Sequence, residues 1–278
     1  MPDNSLANQH ILITGGGSGI GLACAGRFLD DGATVTLMGR SERRLQSARE
    51  QLAAYGDRVR SIAGDVADEA QVEAAVRVAA DGNGVLHGCV AAAGTGSFGA
   101  VLDMQRQQWD AVMNTNVTGS MLTVKHAGRA MRDGGSIILI SSIAGVLTHR
   151  WMTAYCVSKA AIEMLARNAA DELGGAGIRV NAIRPGLVPT ELAAPLVNNQ
   201  QTQDDYLTQM PLRRLGTPED IASLARFLLG PESSWVTGQV IACDGGHTLR
   251  RGPDLDHVAR AIFKVDQQRP WSGAAASP

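Results

Sequence analysis

Tyr155 and Lys159 stand four residues apart in Tyr155-Cys156-Val157-Ser158-Lys159, inside a stretch, residues 153–173, that predicts a helix closed by Gly174-Gly175. At that spacing both side chains share one face of the helix. A phenol ionises near ~10 and is a poor proton carrier at neutral pH. An ammonium a few ångströms away favours the phenolate and draws that value towards the working range, giving a proton donor and acceptor for a carbonyl–alcohol pair. A helical tyrosine and a solvated lysine also meet at this spacing by chance, so position has to separate the two readings. Ser142 lies thirteen residues before Tyr155, just past a predicted strand at 136–140. In a parallel α/β sheet, ligands sit outside the carboxyl ends of the strands. Ser142 is therefore placed to donate to a substrate oxygen that Tyr155 also holds, and Ser141 is expected to face away.

These side chains need a scaffold, and residues 11–21 supply its start. Three apolar residues, Ile11, Leu12 and Ile13, predict a short buried strand, and five glycines follow within seven positions. Apolar residues then resume at helical spacing from Leu22. A strand that turns at once into a helix leaves the first helical N–H groups unpaired and aimed outward, at the positive end of the helix dipole. That is a site for a pyrophosphate. Glycine is needed where a side chain would hold the phosphate away or where φ is positive. The spacing is Gly15-x-x-x-Gly19-x-Gly21 preceded by Thr14, not G-x-G-x-x-G.

The same alternation continues along the chain. Strands are predicted at 35–38, 59–63, 85–93, 136–140, 178–183 and 240–242. Helices are predicted at 42–54, 70–80, 109–131, 153–173 and 218–229, with a mixed segment at 191–210. Alternating β and α implies an α/β fold: one doubly wound parallel sheet of Rossmann type, with helices on both faces. A single domain is expected over 1–249, with an irregular tail over 250–278. The tail holds a short amphipathic stretch, 255–265, and Trp271.

With these motifs in order, the chain resembles the short-chain dehydrogenase/reductase family from about residue 9 to residue 249. The resemblance rests on Thr14-Gly15-x-x-x-Gly19-x-Gly21, on Ser142, Tyr155 and Lys159, on Asn116 within Asn114-Thr115-Asn116-Val117-Thr118-Gly119, and on Pro185-Gly186. It implies hydride exchange between a nicotinamide and a substrate carbon. Tyr155 would exchange the proton and Ser142 would orient the oxygen. Lys159 would bind the nicotinamide ribose and lower the Tyr155 pKa, and Asn116 would hold a water linking Lys159 to solvent. Gly15, Ser18, Gly19, Ile20 and Gly21 would hold the phosphates, Asp65 and Val66 would line the adenine, and Gly94 would let backbone approach the cofactor. Val188 and Thr190 would hold the nicotinamide carboxamide. One departure is Ala91-Ala92-Ala93-Gly94, where the family has Asn-Asn-Ala-Gly, whose asparagines pair with nearby backbone. The helices at 109–131 and 153–173 resemble those the family pairs between subunits, so a homo-oligomer, most simply a homotetramer, is expected.

The end of the second strand, Leu37-Met38-Gly39-Arg40-Ser41, carries no acid for a ribose 2′-hydroxyl. Arg40 offers a guanidinium that forks onto a 2′-phosphate or stacks on adenine, and Ser41 or Arg43 adds a donor. NADP is therefore the expected cofactor, with NAD still accepted. Residues 95–98, 148–152 and 191–210 are expected to wall the substrate pocket, and Trp151, Leu192 and Leu196 make it apolar.

Composition sets the outer bounds. A hydrophobic content of 45% suffices for a sizeable core, and a net charge of −2 offers no electrostatic argument for nucleic acid or an anionic membrane. Cys24, Cys89, Cys156 and Cys243 are widely spaced, which suits reduced core thiols. His126, His149 and His247 are isolated, so no metal site is expected. The start of the chain is polar, without a signal-like apolar run, and no run is long enough to span a bilayer. A cytoplasmic oxidoreductase acting on an alcohol or ketone is the reading these features support. The alternative is a non-catalytic dinucleotide-binding redox sensor or scaffold, which loss of Tyr155, Lys159 or Ser142 would favour.

Overall fold

The central strands are buried on both faces: His10–Thr14, Thr34–Gly39, Gly88–Ala91 and Gly135–Ile140 are runs of mostly apolar residues with most positions buried. The computed structural model describes residues 5–80 and 82–249. Strand β1 (His10–Thr14) leads into helix α1 (Gly19–Asp30), β2 (Thr34–Gly39) into α2 (Glu42–Gln51), and β3 (Val59–Ala63) into α3 (Glu69–Ala79). Strand β4 (Gly88–Ala91) is followed by α4 (Arg106–Met113), a π-helical turn (Asn114–Thr118) and α5 (Gly119–Ala130). Next come β5 (Gly135–Ile140), α6 (Thr153–Leu173) and β6 (Ile178–Pro185). The short α7 (Ala194–Val197), α8 (Gln200–Gln209), α9 (Pro218–Leu229) and β7 (Val240–Cys243) complete the series.

The strands form one seven-stranded sheet in the order β3-β2-β1-β4-β5-β6-β7, and every pair is parallel. Along β1, Ile11 and Ile13 enter a core with Phe28 and Leu29 of α1, Leu45 of α2 and Leu228 of α9. Leu12 points the other way, into a core with Val72 of α3, Leu122 of α5 and Ile162 of α6. This is the period-2 alternation of a strand covered on both faces. Fully burying a side chain such as Phe28 or Ile13 contributes roughly 1.5–3 kcal/mol, more than one helix cap of about 1 kcal/mol adds, and buried side chains far outnumber caps. Packing on both faces, more than capping, therefore holds the sheet.

The order reverses between β1 and β4, the place where a doubly wound sheet opens a crevice at its carboxyl edge. Three elements differ from expectation. The strand expected at 85–93 shrinks to Gly88–Ala91, because its partner β1 ends at Thr14 opposite Ala91 and then turns into the glycine stretch. The single helix expected at 109–131 starts earlier and is split by the π-turn, in which the Gly119 N–H bonds the Asn114 carbonyl. Helix α2 stops at Gln51 and continues as a 3-10 segment, Ala53–Arg58. The described residues up to Thr248 form one compact unit. The tail expected at 250–278, with its stretch at 255–265 and Trp271, lies outside the described residues.

Candidate active site

One cleft of about 830 Å³ runs along the carboxyl edge of the sheet. Its first half is made by the turn after β1. Gly15 and Gly19 adopt φ of +68° and +51°, a region that side chains strongly disfavour. A Cβ on Gly15 would lie 2.7 Å from the Ala93 nitrogen, and one on Gly21 would overlap the Gly15 carbonyl, 2.9 Å from its carbon. Helix α1 is thereby pressed against the end of β1.

The caps show what that helix start is free to do. Ser41 caps α2, Asp68 caps α3 and Thr217 caps α9 through side-chain oxygens, the last in a reciprocal capping box with Asp220. Ser18 stands at the same position before α1 but makes no side-chain capping bond, and no acid occupies the first turn of α1. The N–H groups and positive dipole end of α1 thus face the cleft uncompensated, lined by Gly15, Ser18, Gly19, Ile20 and Gly21, and this cradle fits a pyrophosphate.

Further out, Arg40, Ser41, Asp65 and Val66 line the cleft together. Arg43 does not join them: with Glu42, Gln46 and Ser61 it borders a separate depression between α2 and β3. Arg44 lines the cleft instead, and its guanidinium pairs with Glu191 at 2.6 Å. One helical position decides this, since residues 43 and 44 project about 100° apart. At the end of β4, where the family's two asparagines are replaced, Thr14 ties the chain down. Its carbonyl accepts from the Ala92 N–H at 3.1 Å and its hydroxyl from the Ala93 N–H at 3.3 Å. Gly94 lines the cleft too, and a Cβ there would stand 3.5 Å from Asn116 Oδ1 and 3.6 Å from Lys159 Nζ.

The second half of the cleft holds Ser142, Tyr155 and Lys159. Ser142 follows β5, and its hydroxyl accepts from the Ala144 N–H at 3.2 Å. Ser141, expected to face away, also lines the cleft, but its hydroxyl is committed: it donates to Glu163 Oε1 at 2.9 Å, and Glu163 is bound by the Arg184 guanidinium at 2.8 and 2.7 Å. That buried ion pair fixes the turn from behind. On α6, Tyr155 and Lys159 both line the cleft, with Lys159 Nζ 5.5 Å from the Tyr155 ring centre. Lys159 is buried and donates to the Ile140 carbonyl at 2.8 Å; burial draws its ammonium down to about 8. The expected lowering of the Tyr155 phenol is reversed in this chain. Burial pushes the phenol above its ordinary value, and the hydrogen bond with Ser142 opposes this only in part. Desolvation penalises the phenolate more than its neighbours favour it.

Asn116 sits in the π-turn, fully buried. Its Oδ1 accepts from the Thr95 N–H at 2.8 Å, and its Nδ2 donates to the Thr95 carbonyl and to Ser158 Oγ, each at 2.9 Å. Both side-chain N–H groups are spent on joining the loop after β4 to α6. Pro185, Gly186, Val188 and Thr190 close the cleft from the β6 side.

Beyond Tyr155 the walls are Phe98, Met152, Leu187, Leu192 and Leu196, with His149 and Tyr206. Trp151, expected among them, is not a lining residue; it is over half exposed, with φ of +71°. Sequence reading overlooked Arg44, and it gave Glu191 and Tyr206 only as part of the wall segment 191–210, without singling them out. A helical wheel of α2 would have separated Arg43 from Arg44, whereas nothing local marks Glu191 or Tyr206.

Comparison with known proteins agrees with this geometry. A family model described as enoyl-(acyl carrier protein) reductase matches residues 15–248. The chain is 39% identical to 2-(S)-hydroxypropyl-CoM dehydrogenase 3 of Xanthobacter autotrophicus, over 88% of this chain and 98% of that protein. A short-chain type dehydrogenase/reductase from Mycobacterium ulcerans superposes with a TM-score of 0.85 at 41% identity, covering 93% of this chain and 96% of that one. A gluconate 5-dehydrogenase from Burkholderia cenocepacia, solved with NADP and tartrate, superposes with a TM-score of 0.84 at 28% identity, covering 90% and 99%. The chain belongs to the short-chain dehydrogenase/reductase family and is an NAD(P)-dependent oxidoreductase of alcohol and ketone substrates.

Proposed function

We propose that Tyr155 is the proton donor and acceptor for the substrate oxygen, that Ser142 orients this oxygen, and that Lys159 serves both the ribose and the proton path. The observation that carries this reading is the convergence of all three side chains on one cleft whose other end is the phosphate turn. When bound, the dinucleotide supplies or takes up the hydride at its nicotinamide. Gly15, Ser18, Gly19, Ile20 and Gly21 hold its phosphates, Asp65 and Val66 its adenine, and Pro185, Gly186, Val188 and Thr190 its carboxamide. Gly94 leaves room beside Asn116 and Lys159 for its approach.

A buried amine drawn down to about 8 exchanges a proton readily near neutral pH. Lys159 therefore suits re-protonation of Tyr155, and Ser142 supplies the hydrogen bond that favours the phenolate. Asn116 serves this relay by fixing Thr95 and α6, since both its side-chain N–H groups are committed. Replacing Tyr155 by Phe keeps the ring and removes the proton. Turnover should fall on the order of a thousandfold while cofactor affinity holds within about twofold; a variant within tenfold of the parent would remove Tyr155 from this role.

NADP is proposed as the preferred dinucleotide, because Arg40 and Ser41 line the outer cleft where NAD-selective relatives of this fold place an acid. The ratio of kcat/KM with NADPH and NADH checks this: NADPH should lead in the parent and lose its lead in Arg40→Asp. A parent that favours NADH tenfold would show that Arg40 reads no phosphate.

A homotetramer is proposed from Met121 of α5 with Val157 and Met164 of α6, exposed apolar residues on the two helices expected to pair. Sedimentation as a monomer at micromolar concentration would overturn it. Four free thiols, two of them fully buried, suit a reducing compartment such as the cytoplasm.

A further inference from the structure

His149 and Tyr206 come from segments 57 residues apart and meet in the substrate half of the cleft, with Nε2 3.0 Å from the phenol oxygen. Their protons can be assigned from their partners. Nδ1 of His149 lies 3.0 Å from the Leu147 carbonyl, which only accepts, so Nδ1 carries the hydrogen. In the neutral ring Nε2 is then the acceptor, and the Tyr206 hydroxyl must donate to it. The phenol's one proton is thereby spent, and its oxygen keeps lone pairs for another partner. Burial holds that phenol up to about 12, so it stays protonated and keeps this polarity.

The surroundings narrow what the partner is. Both residues line the cleft that contains Tyr155, and Tyr155 is close enough to Tyr206 to act on its ionisation. The neighbouring walls, Phe98, Met152, Leu187, Leu192 and Leu196, are apolar. The cationic residues lining the cleft among those described are Arg40, Arg44 and Lys159; the first two flank the glycine turn and the third serves Tyr155. An acceptor oxygen set in apolar walls, without a guanidinium beside it, disfavours a carboxylate or phosphate tail and favours a neutral donor.

We infer that His149 and Tyr206 form a specificity-determining pair, which selects ketones and alcohols bearing a second, neutral hydroxyl near the reacting carbon on an otherwise apolar body. The inference rests on the proposed role of Tyr155 as the group that holds the reacting oxygen. Tyr206 accepts from the second hydroxyl, and His149 sets the phenol to accept. A plain ketone leaves that buried acceptor unmatched.

The test compares 2-octanone with its 1-hydroxy and 3-hydroxy derivatives by calorimetric titration into the full chain without dinucleotide, where no hydride is exchanged in either direction. The better hydroxyketone should bind the parent about tenfold more tightly than 2-octanone, one net hydrogen bond's worth. Tyr206→Phe should erase that preference while 2-octanone affinity stays within about twofold. His149→Gln, whose amide oxygen also accepts from a phenol, should keep most of it. Equal affinities in the parent would overturn the pair's role. So would a Tyr206→Phe variant that weakens all three ligands alike, the mark of a residue that merely shapes the wall. Kinetics with NADPH and the same ligands form a separate arm. A binding preference without any turnover would count against the Tyr155 assignment and still support the pair.

Discussion

The glycine turn and the substrate wall lie in one cleft and are built in opposite ways. The turn is continuous chain, 15–21, and at Gly15 and Gly21 backbone lies against backbone; a Cβ at either has nowhere to go. The wall is assembled from residues 98, 149, 152, 187, 192, 196 and 206, and its own small core joins Ile143, Leu187, Tyr206 and Met210 to partly buried Leu196 and Val197. A phosphate is the same in every dinucleotide, so a rigid cradle suits it. Substrates vary, and a wall held by side chains can change without disturbing the sheet.

Three measurements can break or sharpen that contrast. The largest effect belongs to Gly21→Ala, which drives a methyl group into the Gly15 carbonyl. Its unfolding free energy should drop by about 4 kcal/mol, the size reserved for backbone or core disruption. Leu196→Ala, at a half-buried wall position, should cost about 1 kcal/mol, well under the loss at a fully buried leucine. Equal losses in urea unfolding would dissolve the distinction.

The second measurement is electrostatic. The turn offers dipoles, while the other half of the cleft buries the Lys159 amine, drawn from 10.5 down to about 8. Below about pH 8 Lys159 is charged both folded and unfolded, so the cost of burying the charge is fully present. Between about 8 and 10.5 the unfolded chain binds more protons than the folded one, and this group's contribution to stability rises with pH. Lys159→Met lacks the titration. Its stability advantage over the parent should shrink by about 3 kcal/mol across that window, at roughly 1.4 kcal/mol per pKa unit. A gap that stays constant with pH would show that the amine is not desolvated.

The smallest effect concerns the joint between the regions, Arg44 of α2 with Glu191 beyond β6. Both side chains are more than half exposed, so a double-mutant cycle on Arg44→Ala and Glu191→Gln should give below about 1 kcal/mol, fading as salt rises. A larger, salt-insensitive coupling would mean that the wall is as firmly held as the turn.

What was legible in the sequence was local. Three glycines at fixed spacing, Tyr155 and Lys159 one helical turn apart, and apolar residues alternating along each strand report backbone geometry over a few residues. The sheet, the glycine turn and the proposed proton-transfer pair could be named from them. The tertiary structure decided the rest. It put Arg44 and not Arg43 on the cleft, broke the helix at Asn116, and turned Trp151 out of the wall. It also reversed the direction of the Tyr155 phenol and joined His149 to Tyr206. Each of these depends on how much water a group has lost and on which distant segment the sheet brings beside it. Neither quantity is a property of neighbouring residues.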